Sequence, residues 1–141
     1  MLRTGRPGPV ILALPELGAY DEAADPYVPV KGWKSAPDPA DTRAAVEMLL
    51  RAERPLVTTL KAKGAFPEDH PLFLGVRGDH VVDYLERSDL IFALGSSLSP
   101  GRFSHGMPGA ADKAIINLNI SELDVNKWYP NALALIGDAR L

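Results

Sequence analysis

Four short apolar runs set the terms on which this chain can fold: Leu56–Leu60, Leu90–Leu94, Lys113–Ile120 and Leu133–Ile136. Each is short, rich in Leu, Ile, Val and Ala, and bounded by glycine, proline or charged residues. That is the pattern of strands covered on both faces rather than of an alternating, half-solvated sheet. Between them lie segments with helical periodicity or turn composition. Buried strands alternating with helices predict an α/β fold, a parallel sheet flanked by helices and joined by right-handed crossovers.

The helical signals are local and specific. Asp38 is an N-cap, Pro39 suits the first helical position and Asp41 lies in the first turn. Ala45, Val46, Leu49 and Leu50 then form an apolar stripe, and Pro55 ends the helix. Asp79 to Arg87 reads as a second, shorter helix, with Val81, Val82 and Leu85 facing inward. Ser121 is placed to cap a third short helix running to Lys127. Lys61 to Gly78, with three glycines and two prolines, reads as loop. So does Gly95 to Gly109. Upstream, Val10 to Leu14 is a further apolar run with the character of a buried strand. Pro15 to Pro39 holds five prolines and little periodicity, which predicts an extended connector.

Composition removes several classes of function. The 141 residues carry 15 basic and 18 acidic side chains, well mixed, for a net charge of −3, so no basic stripe awaits a nucleic acid. Without cysteine there is no disulfide, thiolate nucleophile or cysteine-zinc site. That fits a cytoplasmic protein. The basic N-terminus is not followed by the apolar stretch of a signal peptide, and no apolar run is long enough to span a membrane.

Chemistry in an open α/β sheet belongs past the carboxyl ends of the strands. Three such ends carry suitable residues. Leu94 leads into Gly95, Ser96 and Ser97, with Arg102 beyond to meet a phosphate. Ile116 leads into Asn117, Leu118, Asn119, Ile120 and Ser121, and Ile136 into Gly137 and Asp138. Together these residues would line a nucleotide groove; equally, small polar residues are what turns use anyway. Asp69-His70, Asp79-His80 and His105 do not share the spacing of a metal site. Gly-x-Ser-x-Gly, Gly-x-Gly-x-x-Gly and the phosphate-loop lysine motif are all absent.

The residues also carry a resemblance. Gly5-Arg6-Pro7-Gly8-Pro9-Val10-Ile11-Leu12 resembles the closing strand of the pyrimidine-binding domain of thiamine-diphosphate-dependent enzymes, the acetolactate synthase and 2-oxo acid decarboxylase family. Thr58 to Pro71 resembles the turn after the second strand of that family's central domain. Ser88 to Gly95, Ile115 to Ile120 and Ile136 to Ala139 resemble its later strands, in the right order. The resemblance implies residues 1–15 as the end of the pyrimidine-binding domain, 16–38 as linker, and 39–141 as a Rossmann-like central domain. It also implies an internal shortening near 55–58: relatives carry a strand, glycine-rich loop and helix between segments like Arg54-Pro55-Leu56 and Val57 to Leu60.

What the resemblance implies for function is a non-catalytic central-domain piece of a 2-oxo acid enzyme. Thiamine diphosphate and magnesium would be held by the parent's other domains, whose activating glutamate and Gly-Asp-Gly motif are not in these residues. The other domains and further copies of the chain would be its partners. In some relatives the central groove holds FAD or an adenine nucleotide, and in others nothing. The matching positions here are Thr59, Leu60, Gly75, Gly78, Gly95, Ser96, Ser97, Arg102, Asn119, Ser121, Gly137 and Asp138. Asn119 and Ser121 stand where FAD-binding relatives carry aspartates, a departure that counts against FAD. Two other readings compete: an independent small nucleotide-binding module, and a sirtuin-like domain, which here would lack its zinc cysteines.

Overall fold

The computed structural model of the chain describes residues 9–11, 34–52, 62–101 and 106–141. Among these residues the sheet has three parallel strands in the order β1 (Leu90–Leu94), β2 (Ala114–Asn119) and β3 (Leu133–Ile136). The strands expected at Leu90–Leu94, Lys113–Ile120 and Leu133–Ile136 fall where the apolar runs place them. Two helices precede the sheet in sequence, α1 (Pro39–Leu50) and α2 (Asp79–Arg87). The expected strand at Leu56–Leu60 lies outside the described residues.

Helix α1 begins as its sequence dictates. The Asp38 carboxylate accepts the Ala40 N–H at 2.7 Å, Pro39 occupies the first turn, and the Asp38 carbonyl accepts the Thr42 N–H at 2.9 Å. The inward stripe differs from the one expected. Ala45, Met48 and Leu49 face the core, whereas Val46 is 48% and Leu50 81% exposed. A helix laid on a sheet buries a narrow i, i+3, i+4 row, and Val46 and Leu50 sit a step round the helix from it.

Beneath α1, Ala45 packs with Ile116, Leu118 and Leu135, and Leu90, Phe92 and Leu133 border the cluster. Strand β2 is the middle strand, and from Ile115 to Asn119 every residue is buried. Alternation puts Ile116 and Leu118 on the α1 face and Ile115, Asn117 and Asn119 on the other. Asn117 lies in register between Ala93 and Ala134 and is 1% exposed; its Oδ1 has no hydrogen-bond partner among the described residues.

Helix α2 buries Val81 completely, with Val82 and Leu85 half-buried as expected. Its last turn is held from a distance in sequence: the Lys113 ammonium donates to the carbonyls of Glu86 and Ser88, both at 2.8 Å. A cation there also complements the negative end of the helix.

Two departures are local. The segment after β2 forms a 3-10 turn, Glu122–Asp124, in place of a helix to Lys127, and the Ser121 hydroxyl makes no capping bond. A reciprocal pairing of Asn126 and Asn131 bends the chain before a helix can grow. A second 3-10 turn, Ala110–Asp112, closes the stretch read as loop. At the other end, Val10 and Ile11 are 53% and 95% exposed and lie in no strand. A strand needs a neighbour to satisfy its backbone, and among the described residues none pairs with these two. Residues 12–14 lie outside the described residues.

Candidate functional site at the strand ends

Parallel pairing brings three turns together. The Gly95 N–H donates to the Leu118 carbonyl at 2.8 Å, and the Gly137 N–H donates to the Asn119 carbonyl at 2.9 Å. Gly95, Asn119 and Gly137 therefore stand side by side at the carboxyl edge of the sheet, the edge where α/β sheets place ligands. The turns that begin at Gly95, Asn119 and Gly137, which hold Ser96, Ser97, Ser121 and Asp138, thus follow adjacent strand ends.

Their side chains, however, are largely engaged with their own turns. Gly95 adopts φ of 61° and Leu98 φ of 53°, and the Ser96 hydroxyl accepts the Leu98 N–H at 3.2 Å. Asn119 is 6% exposed and turns its carboxamide oxygen onto the Ser121 N–H at 3.2 Å. These are the local side-chain-to-backbone bonds by which serine and asparagine build turns. Asn117 belongs to the middle of β2 rather than to the turn beyond it.

At the end of β3 the site is covered by the chain itself. The Asp138 N–H donates to the Ser35 carbonyl at 2.8 Å, and Lys34 forms an ion pair with the Asp138 carboxylate at 2.6 Å. A Cβ on Gly137 would lie 2.5 Å from the Pro37 nitrogen and Cδ and 2.8 Å from the Ala36 carbonyl carbon. Only glycine permits that approach. The Lys34 ammonium first, and the Arg140 N–H donating to Oδ1 at 3.0 Å second, hold the Asp138 carboxyl below the usual carboxylate range. Lys34, Ser35 and Pro37 carry no sequence signal of this role. They lie in the proline-rich connector and meet β3 only through the fold.

Gly75 and Gly78 form a separate feature. Both have positive φ, 100° and 134°, and they wrap the His80 ring, whose Nε2 lies 2.9 Å from the Leu74 carbonyl. Thr59, Leu60 and Arg102 lie outside the described residues. His70 is edge-on to Phe66, and its Nδ1 accepts the Leu72 N–H at 3.1 Å. Among the described residues no three histidine or carboxylate side chains gather where a metal could be held. No described helix is long and apolar enough to cross a membrane.

An open parallel sheet, helices packed on it and small polar turns aligned at its carboxyl edge define an α/β domain of the Rossmann-like class. Within that class, residues 38–141 match the family described as thiamine pyrophosphate enzyme, central domain, and the chain belongs to it. It is similar to the acetolactate synthase large subunit of Corynebacterium glutamicum, at 30% identity over 97% of this chain and 28% of that protein. It is also similar to a probable acetolactate synthase large subunit of Methanocaldococcus jannaschii, at 28% identity over 97% of this chain and 30% of that protein. Glyoxylate carboligase of Escherichia coli O157:H7 aligns at 26% identity over 99% of this chain and 30% of its own length. The chain thus spans less than a third of these relatives. The first alignment runs over 178 positions, more than the 141 residues of the chain, so it opens gaps on this side. The independent nucleotide-binding module and the sirtuin-like domain find no support in these similarities.

Proposed function

We propose that this chain is the scaffold piece of a larger thiamine-diphosphate-dependent enzyme acting on 2-oxo acids, and that it has no catalytic part of its own. Residues 1–15 are the closing strand of the preceding pyrimidine-binding domain, 16–38 the linker and 39–141 the central domain. The observation that carries the reading is the family match across residues 38–141, joined to relatives more than three times as long. Gaps on this side of the alignment leave room for an internal shortening, which the resemblance puts near residues 55–58 as one missing strand-loop-helix unit. The partners are the other domains of the parent and further copies of the chain, in the cytoplasm. Val46, Leu50 and Leu94, all about half exposed or more, supply apolar contact area for them.

The described residues do not fit thiamine diphosphate and its magnesium. A hard divalent cation needs several oxygen ligands converging on one point. Asp138, the carboxylate at the end of β3, is already taken by Lys34 and the Arg140 N–H. The cofactor therefore belongs to the parent's other domains. Nor do the strand ends favour FAD: Asn119 offers a neutral acceptor, and its oxygen is engaged by Ser121.

Isothermal calorimetry with thiamine diphosphate and magnesium tests the reading. No saturable heat is expected. A stoichiometric dissociation constant below about 10 μM, roughly −7 kcal/mol, would show that the chain holds the cofactor itself and refute the scaffold assignment.

A further inference from the structure

Residues 34–37 pass over the carboxyl end of β3 and make three different kinds of contact there. The Ser35 carbonyl accepts the Asp138 N–H, the Lys34 ammonium pairs with the Asp138 carboxylate, and Pro37 seats against the bare face of Gly137. The hydrogen bond uses the one backbone donor that Asp138 has. The ion pair uses its carboxylate. The proline fills the space that the missing side chain of Gly137 leaves open, and Gly137 is buried as a result.

A ligand at this strand end would need the same groups. An oxyanion would take the Asp138 N–H, and a sugar hydroxyl would donate to the Asp138 carboxylate. Ser35 and Lys34 provide an acceptor and a donor in those two places. We propose that residues 34–37 are a built-in strap that occupies the β3 end of the groove, so that a ribose- or phosphate-bearing ligand enters only where the strap has been displaced.

This inference stands on the geometry of the chain and goes beyond its assignment to a family; it would hold for the central domain alone or within a parent. Its consequence for binding is quantitative. A ligand that needs the open state binds with its intrinsic affinity reduced by the fraction of molecules in which the strap is off. The strap is attached covalently just ahead of α1, where Asp38 caps the helix, so it competes as an intramolecular occupant at high effective concentration.

The test uses the full chain and two variants. In Gly137→Ala the new Cβ collides with Pro37 backbone and ring. In the double variant Lys34→Gln with Pro37→Gly the ion pair and the rigid seat are both removed. Amide exchange followed by NMR reads the Asp138 N–H, with Ile116 in β2 as an internal reference for global opening. The native chain should protect Asp138 well beyond an unstructured amide. Both variants should lose at least about tenfold of that protection while Ile116 is unchanged. If Gly137→Ala fails to fold, the double variant alone decides. ADP is the ligand probe. Its apparent dissociation constant should be at least about tenfold lower in the double variant than in the native chain. An unprotected Asp138 amide in the native chain overturns the strap. Equal ADP affinity in the two proteins overturns its role as an occupant of the groove. Failure of the thiamine diphosphate test above would leave both readouts unaffected, so the two claims fail separately.

Discussion

Asn126 and Asn131 hold each other's backbones: the Asn126 N–H donates to the Asn131 Oδ1 at 2.8 Å, and the Asn131 N–H donates to the Asn126 Oδ1 at 2.6 Å. Asn126 makes this possible by adopting φ of 54°, a conformation asparagine tolerates better than most side chains. The clasp turns the chain out of the 3-10 turn and feeds it into β3. Asn131→Ala is expected to cost about 1 kcal/mol, one hydrogen bond. Asn126→Ala is expected to cost more than Asn126→Gly, by about 1 kcal/mol, because alanine alone meets the left-handed strain. Urea unfolding of the three variants checks the order; equal midpoints for the alanine and glycine forms would contradict it.

Lys113 reaches back from just before β2 to the last carbonyls of α2. Lys113→Met keeps most of the stem and removes both hydrogen bonds and the charge at the helix end. A loss of about 1 to 2 kcal/mol is expected. The loss should shrink only partly in high salt, since hydrogen bonding remains when the charge is screened. Thermal unfolding at low and high salt measures both.

Asn117 has the opposite sign. Its buried oxygen lacks a partner among the described residues, while Ala93 and Ala134 beside it are small and apolar. Replacing a buried amide whose oxygen is unsatisfied by an apolar side chain of similar or smaller size removes a desolvation penalty of about 1 to 3 kcal/mol. Asn117→Val should therefore raise the midpoint of unfolding, with valine also favoured in a strand. A lower midpoint would mean that the amide is satisfied in solution.

Acid should weaken the contact at β3 in a defined direction. The Asp138 carboxyl is held below its usual range by the Lys34 ammonium first and by the Arg140 N–H second. A depressed folded value stabilises the protein above the pH at which the unfolded carboxyl titrates, about 4. That contribution is lost as pH falls through the folded value. Lys34 is 52% exposed, so solvent screens the pair. Thermal scans from neutral pH to about pH 2.5 should show the native chain converging on Asp138→Asn at the acid end. A gap between them that stays constant with pH would exclude this linkage.

Purified without added cofactor, the protein should be colourless. By the resemblance, Asn119 and Ser121 stand where FAD-binding members of the family carry aspartates, and lacking two charge-assisted hydrogen bonds would weaken binding by about 2 to 4 kcal/mol, roughly 30- to 1000-fold. A visible spectrum with flavin bands near one equivalent per chain would reverse this expectation.

Local sequence was enough to determine α1, α2 and the three strands of the described sheet. Asp38, Pro39 and Asp41 mark the start of α1 because capping and proline geometry act within one turn. The apolar runs at Leu90–Leu94 and Leu133–Ile136 coincide with β1 and β3, since burial on both faces leaves a continuous hydrophobic signature. Where a signal depended on what lay opposite, it was ambiguous. Leu50 belongs to the apolar stripe by spacing, yet only the angle at which α1 meets the sheet decides that Met48 is turned inward in its place. Ser121 is a fair cap by composition, but the clasp of Asn126 and Asn131 claims the chain first. The candidate groove divides in the same way. Gly95, Asn119 and Gly137 were readable as strand-end residues, because a parallel α/β order brings successive carboxyl ends to one edge. The contact of Lys34, Ser35 and Pro37 with Gly137 and Asp138 was not readable. It joins residues about a hundred positions apart, and contacts at that separation leave no periodicity or spacing in the chain; they exist only once α1 has folded onto β3.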